Sequence, residues 1–401
     1  MRPPGSTMDK LQKLYGKTST GSIKSWEVEV TDNGDDTATL TISTMANIEL
    51  DDGKVTKRAT IIKNGKNIGK TNETSALEQA EKEALAKWTN KQDIEEYQLS
   101  AKVALAFQSE RPMLAYPYED KKHLVNWERG VYGQAKLNGV RCTIKKIDEG
   151  NITFTSRKGK DYTPVMQRHT ALYEQLDAVM TTGSGLDGEL YVPGWELNKV
   201  TSAVKKYKAN TEKLQFYLFD FINSFETFST RYGVCIGVIQ VLATYLEINN
   251  GTPFINLVEC KILHSEEEMI TYHDELVKEG HEGIILRNPD ALYTYFYRTS
   301  DLLKYKKFFD EEFEIVDTYC ETQNVNGVEK NLICFWCITK DNERFKVQPK
   351  GTHEMRAKWW EDRESFIGKQ LTVRYQEWSG TEGGARNTPV FGKGICVRDY
   401  E

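Results

Sequence analysis

The pattern of apolar and polar residues changes twice along the chain, near residues 100 and 310, and these changes limit the folds it can adopt. Between them, short strand-like runs alternate with runs that have helical spacing, which predicts a sheet-rich α+β domain. The last helical run, SEEEMITYHDELVKEG, has a start signal at Ser265 and Glu268 and a stop at Gly280. We therefore expect more than one domain, with the mixed one in the middle.

The first hundred residues predict a separate small α+β domain. Two alternating runs, SWEVEVTD and TATLTIST, flank an asparagine-glycine pair that predicts a hairpin. Ser75 and Glu78 then form a capping box at the start of a helix whose apolar stripe includes Leu85 and Trp88.

After residue 310 the chain is mostly strand-like, with one short helix near THEMRAKWWEDR. A β unit of this length fits a five-stranded barrel of the oligonucleotide-binding type. We predict three domains: an N-terminal α+β module over residues 1–98, a mixed domain over 99–310 and a barrel over 311–401. The leader MRPPGST is left out of this fold prediction.

Composition excludes several classes of protein. The 401 residues carry a net charge of −6, so binding of a polyanion would depend on local basic patches. We find no run of eighteen apolar residues and no signal peptide, and predict a cytoplasmic protein that does not bind membranes. The seven scattered cysteines favour reduced thiols, and the Cys334–Cys337 pair lacks the further ligands of a structural zinc site.

One stretch of the N-terminal module, KVTKRATIIKNGKNIGK, is basic and contains no acidic residue. Such a run is commonly a solvated face, but its glycines would allow the backbone to approach phosphates closely. We predict that it contacts nucleic acid through Lys54, Lys57, Arg58, Lys63, Lys66 and Lys70.

The octapeptide AKLNGVRC crowds two cations around a turn between strand-like runs. Lys136 lies at the foot of the turn, Gly139 allows the chain to bend, and Arg141 adds a second positive charge. Taken alone, the segment fits a solvated hairpin or a nucleophilic lysine. An amine attacks phosphorus only in its neutral form, so a nucleophilic lysine needs neighbouring cations or a metal that lower its pKa.

Further charged residues recur downstream at strand ends and glycine turns. They lie in SRKG, DGEL, EGIILR and LLKYKKF, and an aromatic residue lies in FYLFDF. Nucleotidyl transfer through a covalent intermediate requires this set: a lysine, carboxylates for metal or ribose, an aromatic face for a purine, and cations for phosphates.

These six motifs, in this order from KLNGVR to LLKYKKF, resemble the ATP-dependent DNA ligases, within the wider group of lysine-dependent nucleotidyltransferases. The resemblance extends from about Pro112 to Glu401. It implies a nucleotidyltransferase (ATP-grasp-like) adenylation domain followed by an OB-fold barrel. It also implies ATP and Mg²⁺ or Mn²⁺ as cofactors, nicked duplex DNA that can contain RNA as substrate, a monomer, and roles in DNA repair, replication and recombination.

The resemblance assigns a role to each matching position. Lys136 would become adenylylated, Glu189 would contact the ribose and Phe219 the adenine. Glu282, together with Glu189, would hold the metal. The remaining positions would contact AMP, ATP phosphates or the nick phosphate: Gln134, Arg141, Arg157, Lys304, Lys306 and, in the last motif, Arg398, which would orient the leaving pyrophosphate.

The chain departs from the family pattern at two places. Asn138 stands where the first motif usually has aspartate, which removes a charge. The last motif, with Arg398 and Asp399, ends at Glu401 without the usual trailing lysine. We expect activity to survive these departures, whereas substrate preference is open.

Two other classes remain as alternatives. An RNA or RNA/DNA-hybrid ligase, or a capping guanylyltransferase, uses the same lysine chemistry. A non-catalytic nucleic-acid-binding protein could carry the basic run and the barrel, but would not need the ordered motifs. NAD⁺ is disfavoured because the sequence shows neither a nicotinamide-binding segment nor a four-cysteine zinc module.

Overall fold

A computed structural model describes residues 11–18, 20–48, 55–325, 328–375, 377–381, 385–390 and 392–398. The chain divides into two compact units, residues 1–107 with 307–401, and residues 108–306. The division into three domains at residues 98 and 310 stays a prediction.

The N-terminal part of the first unit is an antiparallel sheet with strand order β1-β2-β3-β4, followed by two helices. Its elements are β1 (Leu14–Lys17), β2 (Ile23–Asp32), β3 (Ala38–Met45), β4 (Val55–Ile62), α1 (Ala76–Asp93) and α2 (Ala101–Ala106). The predicted hairpin joins β2 and β3, with Gly34 in the left-handed region at φ 76°.

Helix α1 begins where the sequence predicts, because Ser75 and Glu78 form both hydrogen bonds of the capping box. Ala84 of α1 packs in one core cluster with Trp26 and Leu40 of the sheet. The predicted stripe is wrong at one position, since Leu85 is 49% exposed. The small side chain of Ala84 allows α1 to pack close to the sheet. Leu85, the next residue, lies outside this contact between helix and sheet.

The second unit contains two five-stranded sheets. One has the order β11-β10-β9-β7-β8 and the other β12-β6-β13-β14-β5. The elements in chain order are β5 (Leu114–Pro117), α3 (Tyr118–Lys121), β6 (Val131–Lys136), β7 (Val140–Asp148), β8 (Asn151–Ser156), α4 (Thr163–Met166), α5 (Thr170–Val179), β9 (Gly185–Tyr191), α6 (Leu197–Lys205), β10 (Gln215–Phe221), α7 (Phe228–Asn249), β11 (Ile255–Leu257), β12 (Lys261–Leu263), α8 (Glu266–Lys278), β13 (Gly283–Arg287) and β14 (Arg298–Tyr305).

Helix α7 is the one helix of the described residues that is long and apolar enough to cross a membrane by length and composition. One side of α7 carries Arg231, Cys235, Val238 and Leu242, which are buried, and the helix contacts β10 and α5. In this fold α7 therefore covers a sheet. The absence of membrane binding stays a prediction.

The C-terminal part of the first unit is a closed barrel with strand order β15-β16-β17-β21-β18. The elements are β15 (Phe309–Val325), β16 (Val328–Ile338), β17 (Arg344–Pro349), α9 (His353–Glu361), β18 (Gln370–Tyr375), β19 (Glu377–Thr381), β20 (Ala385–Val390) and β21 (Lys393–Arg398). Phe313, Phe335 and Val347 belong to its core. The predicted five-stranded barrel and the α+β fold class are confirmed.

Candidate active site

Lys136 lies at the end of β6, directly opposite Gly283 of β13. The backbone N–H of Glu282 donates to the carbonyl oxygen of Lys136 at 2.9 Å, so the two side chains begin side by side. Lys136 Nζ donates to Oε2 of Glu282, and Lys306 Nζ lies 3.3 Å from Oε1 of the same carboxylate. Three residues separated by up to 170 positions thus share one ionic cluster.

Both lysines keep the carboxyl group of Glu282 ionised. Burial alone would raise its pKa, but the charges and hydrogen bonds of Lys136 and Lys306 hold the pKa of Glu282 below its ordinary value. Glu282 is therefore an anion that holds the ammonium group of Lys136 in place. It is also the nearest carboxylate that could compete for the proton that Lys136 must lose before attacking phosphorus.

Gly139 permits a close approach of the turn to strand β9. A Cβ atom at this position would lie 2.4 Å from the carbonyl oxygen of Leu190 and 2.8 Å from Cγ of Glu189. Its φ is not in the left-handed region, so the glycine is needed for space rather than for backbone conformation. Any side chain here would push the turn away from β9.

Glu189 differs from Glu282 in its ionisation. Burial raises its pKa to about 8, against the attraction of Arg141 and Lys136. Below that pH the carboxyl group is mostly protonated and can donate a hydrogen bond. The two carboxyl groups near Lys136 are therefore kept in different states, one neutral and one charged.

A pH-dependent stability follows from this raised pKa. The unfolded chain loses the proton of Glu189 near pH 4.5, whereas the folded chain keeps it to about pH 8. Its contribution to stability is thus present at low pH and is lost as the pH rises from about 4.5 to 8. We expect Glu189→Gln, which cannot ionise, to gain stability relative to the wild type over that interval, as measured by urea unfolding. Parallel pH profiles for the two proteins would contradict this.

A second group of cations surrounds Lys304 of β14. Burial lowers the pKa of Lys304, and the charges of Arg298, Lys136 and Arg157 lower it further. The structure thus brings Lys136, Arg157 and Lys304 together as predicted. Arg298 was not predicted from the sequence. This cluster can bind phosphate oxygens, which would relieve the mutual repulsion of the cations.

Phe219 occupies an irregular position in β10, where the pairing with β9 shifts between Leu218 and Asp220. A bulge of this kind redirects a side chain. The ring packs against an apolar cluster of Leu137, Tyr191 and Val258. The guanidinium carbons of Arg141 and Arg287 lie 5.5 and 5.2 Å from its ring centre. An aromatic ring beside apolar residues and cations is a surface on which a purine can stack.

A buried ionic network lies beneath Phe219. Asp220 is 0% exposed and accepts from Arg231 Nε at 2.8 Å and from Arg287 Nη1 at 2.9 Å. Arg287 Nε also donates to Oε1 of Gln134 at 2.6 Å, and Gln134 Nε2 donates to the carbonyl oxygen of Phe219 at 3.1 Å. The side chain of Gln134 therefore positions β10, and its predicted contact with the nucleotide stays a prediction.

Arg141 is held by a second buried carboxylate. Asp187, 0% exposed, accepts from Arg141 at 2.7 and 3.0 Å and from the hydroxyl of Tyr293 at 2.6 Å. The guanidinium group of Arg141 is thereby fixed beside Phe219. Asp187, Asp220 and Arg287 lie in the motifs DGEL, FYLFDF and EGIILR but were given no role from the sequence, and neither Arg231 nor Tyr293 was predicted. Charged residues inside otherwise apolar strand or helix runs were the available signal, since such residues are rarely buried without partners.

The metal prediction can be tested on the chemistry of the donors. No three histidine, cysteine or acidic side chains converge in the part of the chain that the structure describes. Mg²⁺ commonly uses one or two carboxylates together with substrate phosphates. The ionised carboxylate of Glu282 fits that use. Glu189 fits it less well, because its carboxyl group keeps a proton to about pH 8.

Five of the six predicted nucleic-acid contacts lie within the described residues, two on β4 and three in the segment that follows it. Lys54 lies outside the described residues. Lys57 and Arg58 are consecutive on β4 and therefore point to opposite faces of the sheet. Lys63 pairs with Glu329 and Lys66 with Glu83, each at 3.1 Å. Lys70 is exposed.

Arg398 belongs to the barrel, in the other compact unit. Its Nε lies 3.1 Å from Oγ1 of Thr372 and 3.5 Å from Oε1 of Glu312. Asp399 lies outside the described residues. The predicted action of Arg398 on pyrophosphate stays a prediction.

Comparison with known proteins decides the family. The ATP dependent DNA ligase domain model matches residues 112–306, the span that carries the first five motifs and the sixth as far as Lys306. A DNA ligase of African swine fever virus (isolate Tick/South Africa/Pretoriuskop Pr4/1996) is 29% identical over 343 residues, covering 81% of this chain and 77% of the viral protein. Residues 112–306 of this chain are an ATP-dependent DNA ligase domain. The enzyme class of the chain is therefore DNA ligase (ATP).

Further relatives of this ligase agree. The DNA ligase of Enterobacteria phage T4 is 21% identical over 329 residues, covering 70% of this chain and 66% of the phage protein. Among solved structures, Pmar-Lig_Pre. aligns with a TM-score of 0.58 at 18% identity, over 73% of this chain and 68% of that one. A Lig E DNA ligase aligns with a TM-score of 0.52 at 17% identity, over 73% and 100%. These structural matches support the fold alone.

Proposed function

We propose that this ligase seals nicks in duplex DNA through a lysyl-AMP intermediate on Lys136. The observation that carries the proposal is the cluster in which Lys136 shares the carboxylate of Glu282 with Lys306, close to the cations around Lys304 and in the same compact unit as the ring of Phe219. It unites a nucleophile, an anion, a stacking surface and phosphate-binding charges within one compact unit.

The proposed chemistry has three steps. Neutral Nζ of Lys136 attacks the α-phosphorus of ATP, a P–N bond forms, the bond to pyrophosphate breaks, and the nitrogen loses a proton to solvent. The 5′-phosphate of the nick then attacks the same phosphorus, which frees the lysine and forms an AMP–DNA anhydride. The 3′-hydroxyl finally attacks the 5′-phosphate, loses its proton and releases AMP as the phosphodiester forms.

We assign each contact from its position. The adenine stacks on Phe219, while Arg141 is held at the ring by Asp187. The neutral carboxyl group of Glu189 donates to a ribose hydroxyl without repelling the triphosphate. Arg157, Lys304 and Lys306 bind phosphates of ATP and of the nick. Arg141 and Lys306 are already held by Asp187 and Glu282, so these two cations need little reorganisation during the reaction.

Glu282 is the residue proposed to hold Mg²⁺ or Mn²⁺, together with phosphate oxygens of the nucleotide. Such an ion, when bound, neutralises charge that develops on the phosphates. A metal ion bound to the carboxylate of Glu282 would also compete with the ammonium group of Lys136 for the same oxygens. Binding of the ion would therefore weaken the ion pair between Lys136 and Glu282.

Replacing Glu282 or Lys304 by alanine is expected to slow formation of lysyl-AMP by about a hundredfold or more, the usual scale for losing a metal-site or transition-state contact. Phe219→Ala should instead mainly weaken ATP binding. Single-turnover labelling at several ATP concentrations separates the two effects. Near-normal rates in both the Glu282 and Lys304 variants would contradict the assigned roles.

The substrate is tested by sealing nicked duplexes that carry DNA or RNA separately on each side of the nick. We expect sealing when both sides are DNA. Equal or faster sealing with RNA at the 3′-hydroxyl side would favour the RNA/DNA-hybrid alternative. Asn138→Asp, assayed in parallel, reports whether the departure in the first motif changes that preference.

The other two parts of the chain are proposed to serve this reaction. The N-terminal module binds duplex through its basic residues, and the barrel brings Arg398 to the pyrophosphate. We further propose that the enzyme is monomeric and cytoplasmic. These proposals rest on the basic composition of residues 54–70, on the barrel fold and on the family.

A further inference from the structure

A groove opens in the N-terminal module between α1 and the end of the sheet. It has a volume of about 590 Å³ and is lined by Trp26, Ile42, Thr44, Thr56, Arg58, Lys87, Asn90, Lys91 and Glu95. None of the motifs of the adenylation reaction contributes to it. Its lining lies within the described residues of one compact unit.

The strands supply one wall of the groove. Arg58 pairs with Ile42 across β4 and β3, Thr56 pairs with Thr44, and Thr44 pairs with Trp26. Directly paired residues point to the same face of a sheet, here the face on which α1 packs. Arg58 is exposed and has no ion pair with any residue that the structure describes.

Helix α1 supplies the other wall. Lys87, Asn90 and Lys91 are three and four residues apart and therefore share one side of the helix. Lys91 is already paired with Glu95 and lies over the rings of Trp26 and Tyr97. Lys87 follows Glu83 by one turn and is attracted by its carboxylate, which accepts from Gln79 and Lys66 through Oε1, but Lys87 forms no ion pair within 4 Å with a described residue. Arg58 and Lys87 thus remain as two positive charges facing the groove.

The rim chemistry identifies the ligand class. Arginine, lysine, asparagine and threonine are the side chains that commonly donate to phosphate oxygens in nucleic-acid complexes. The indole of Trp26 is only 4% exposed, so the floor offers no free ring for a base or an aromatic anchor of a peptide. The groove therefore suits a sugar–phosphate backbone better than a stacked base or an acidic peptide.

We propose that this groove binds the phosphodiester backbone of the duplex, with Arg58 and Lys87 as its principal phosphate contacts. The inference rests on the proposed function of the N-terminal module and locates its contact surface. It adds Lys87 of the helix, 29 residues after Arg58, to the basic run recognised in the sequence. The helix and β4 thereby act together as one binding surface.

The test compares two double variants of the full chain with equal loss of charge. Arg58→Ala/Lys87→Ala removes the two groove cations. Lys82→Ala/Lys102→Ala removes two exposed lysines that do not line the groove. Binding is measured on a nicked DNA duplex with a 3′-dideoxy end, so that sealing cannot occur, across a range of salt concentrations.

We expect the groove variant to bind more weakly and its salt slope to fall by about two units, one for each lost phosphate contact. The control variant should keep the wild-type slope. Equal slopes for the two double variants would overturn the groove as the contact surface.

Two further measurements separate the possible failures. If the groove variant binds DNA normally but Lys63→Ala/Lys66→Ala/Lys70→Ala does not, duplex binding by the module survives and the groove inference fails. If neither variant weakens DNA binding, both the inference and the proposed function of the module fail. If the groove variant loses only binding to poly-glutamate, the occupant is an acidic polypeptide and the proposal is overturned.

Discussion

Lys136→Ala is expected to abolish covalent labelling of the ligase by ATP. The amine is the only atom in the proposed first step that bonds to the nucleotide, so its removal leaves no acceptor for AMP. The Glu282 carboxylate and the Lys306 ammonium remain but cannot replace it, because Lys306 already pairs with the opposite oxygen of Glu282. Labelling with radioactive ATP, followed by denaturing electrophoresis, measures the result.

Lys145→Ala is the matched control for this variant. Lys145 lies on β7, just after the same turn, but its ammonium group pairs with Glu110 at 2.9 Å instead of with a residue of the site. Its labelling should equal that of the wild type. Persistent ATP-dependent label on Lys136→Ala would remove Lys136 from the mechanism while leaving the fold unaffected. A pre-adenylylated nick should still be sealed by Lys136→Ala, since the last step, attack of the 3′-hydroxyl, does not require the amine.

Asp220→Ala is expected to cause the largest loss of stability in the adenylation unit. The aspartate is fully buried between the guanidinium groups of Arg231 and Arg287, which are 1% and 5% exposed. Removing it leaves two buried positive charges close together without a counter-ion. Breaking a buried ion pair in this way typically costs about 3–5 kcal/mol. The shift of the urea unfolding transition measures the loss.

Asp290→Ala is a control of the same residue type and geometry. Asp290 accepts two hydrogen bonds from Arg129, at 2.8 and 2.9 Å, but both side chains are more than half exposed. Water replaces the lost partner there, so only a small fraction of the Asp220 effect is expected. Similar losses for the two variants would show that the network under Phe219 is solvated rather than buried.

The Asp220 variant also connects stability with catalysis. Arg287 is held by Asp220 and by Gln134, and its guanidinium lies against Phe219. A displaced Arg287 would disturb the surface on which adenine is proposed to stack. Asp220→Ala should therefore weaken ATP binding even under conditions where the protein is still folded.

Local signals in the sequence were sufficient for features that depend on neighbouring residues. The start of α1 at Ser75 needed only Glu78 three positions later, and both hydrogen bonds of the capping box form. Ser265 likewise caps α8, although the side chain of Glu268 accepts from His264 instead of from Ser265. The six ordered motifs indicated the family, because each is a short segment with its own chemistry.

The structure was required wherever partners are distant in the chain. Asp220 and Arg287 are 67 residues apart, and Tyr293 and Asp187 are 106 apart. A buried charge can be recognised in a strand, but its partner depends on which strands lie side by side. The same limit applied to Leu85, whose exposure depends on how far the sheet extends under α1.

The sequence by itself determined the chemistry of this protein, through a lysine, carboxylates, an aromatic residue and cations in a fixed order. The tertiary structure decided their states. Glu282 is charged because Lys136 and Lys306 reach it, whereas Glu189 keeps its proton because it is buried. Arg58 and Lys87 face one groove because α1 packs on the sheet face that carries Arg58. Residue type sets which reactions are available, but burial and the distance between charges are properties of the folded chain alone.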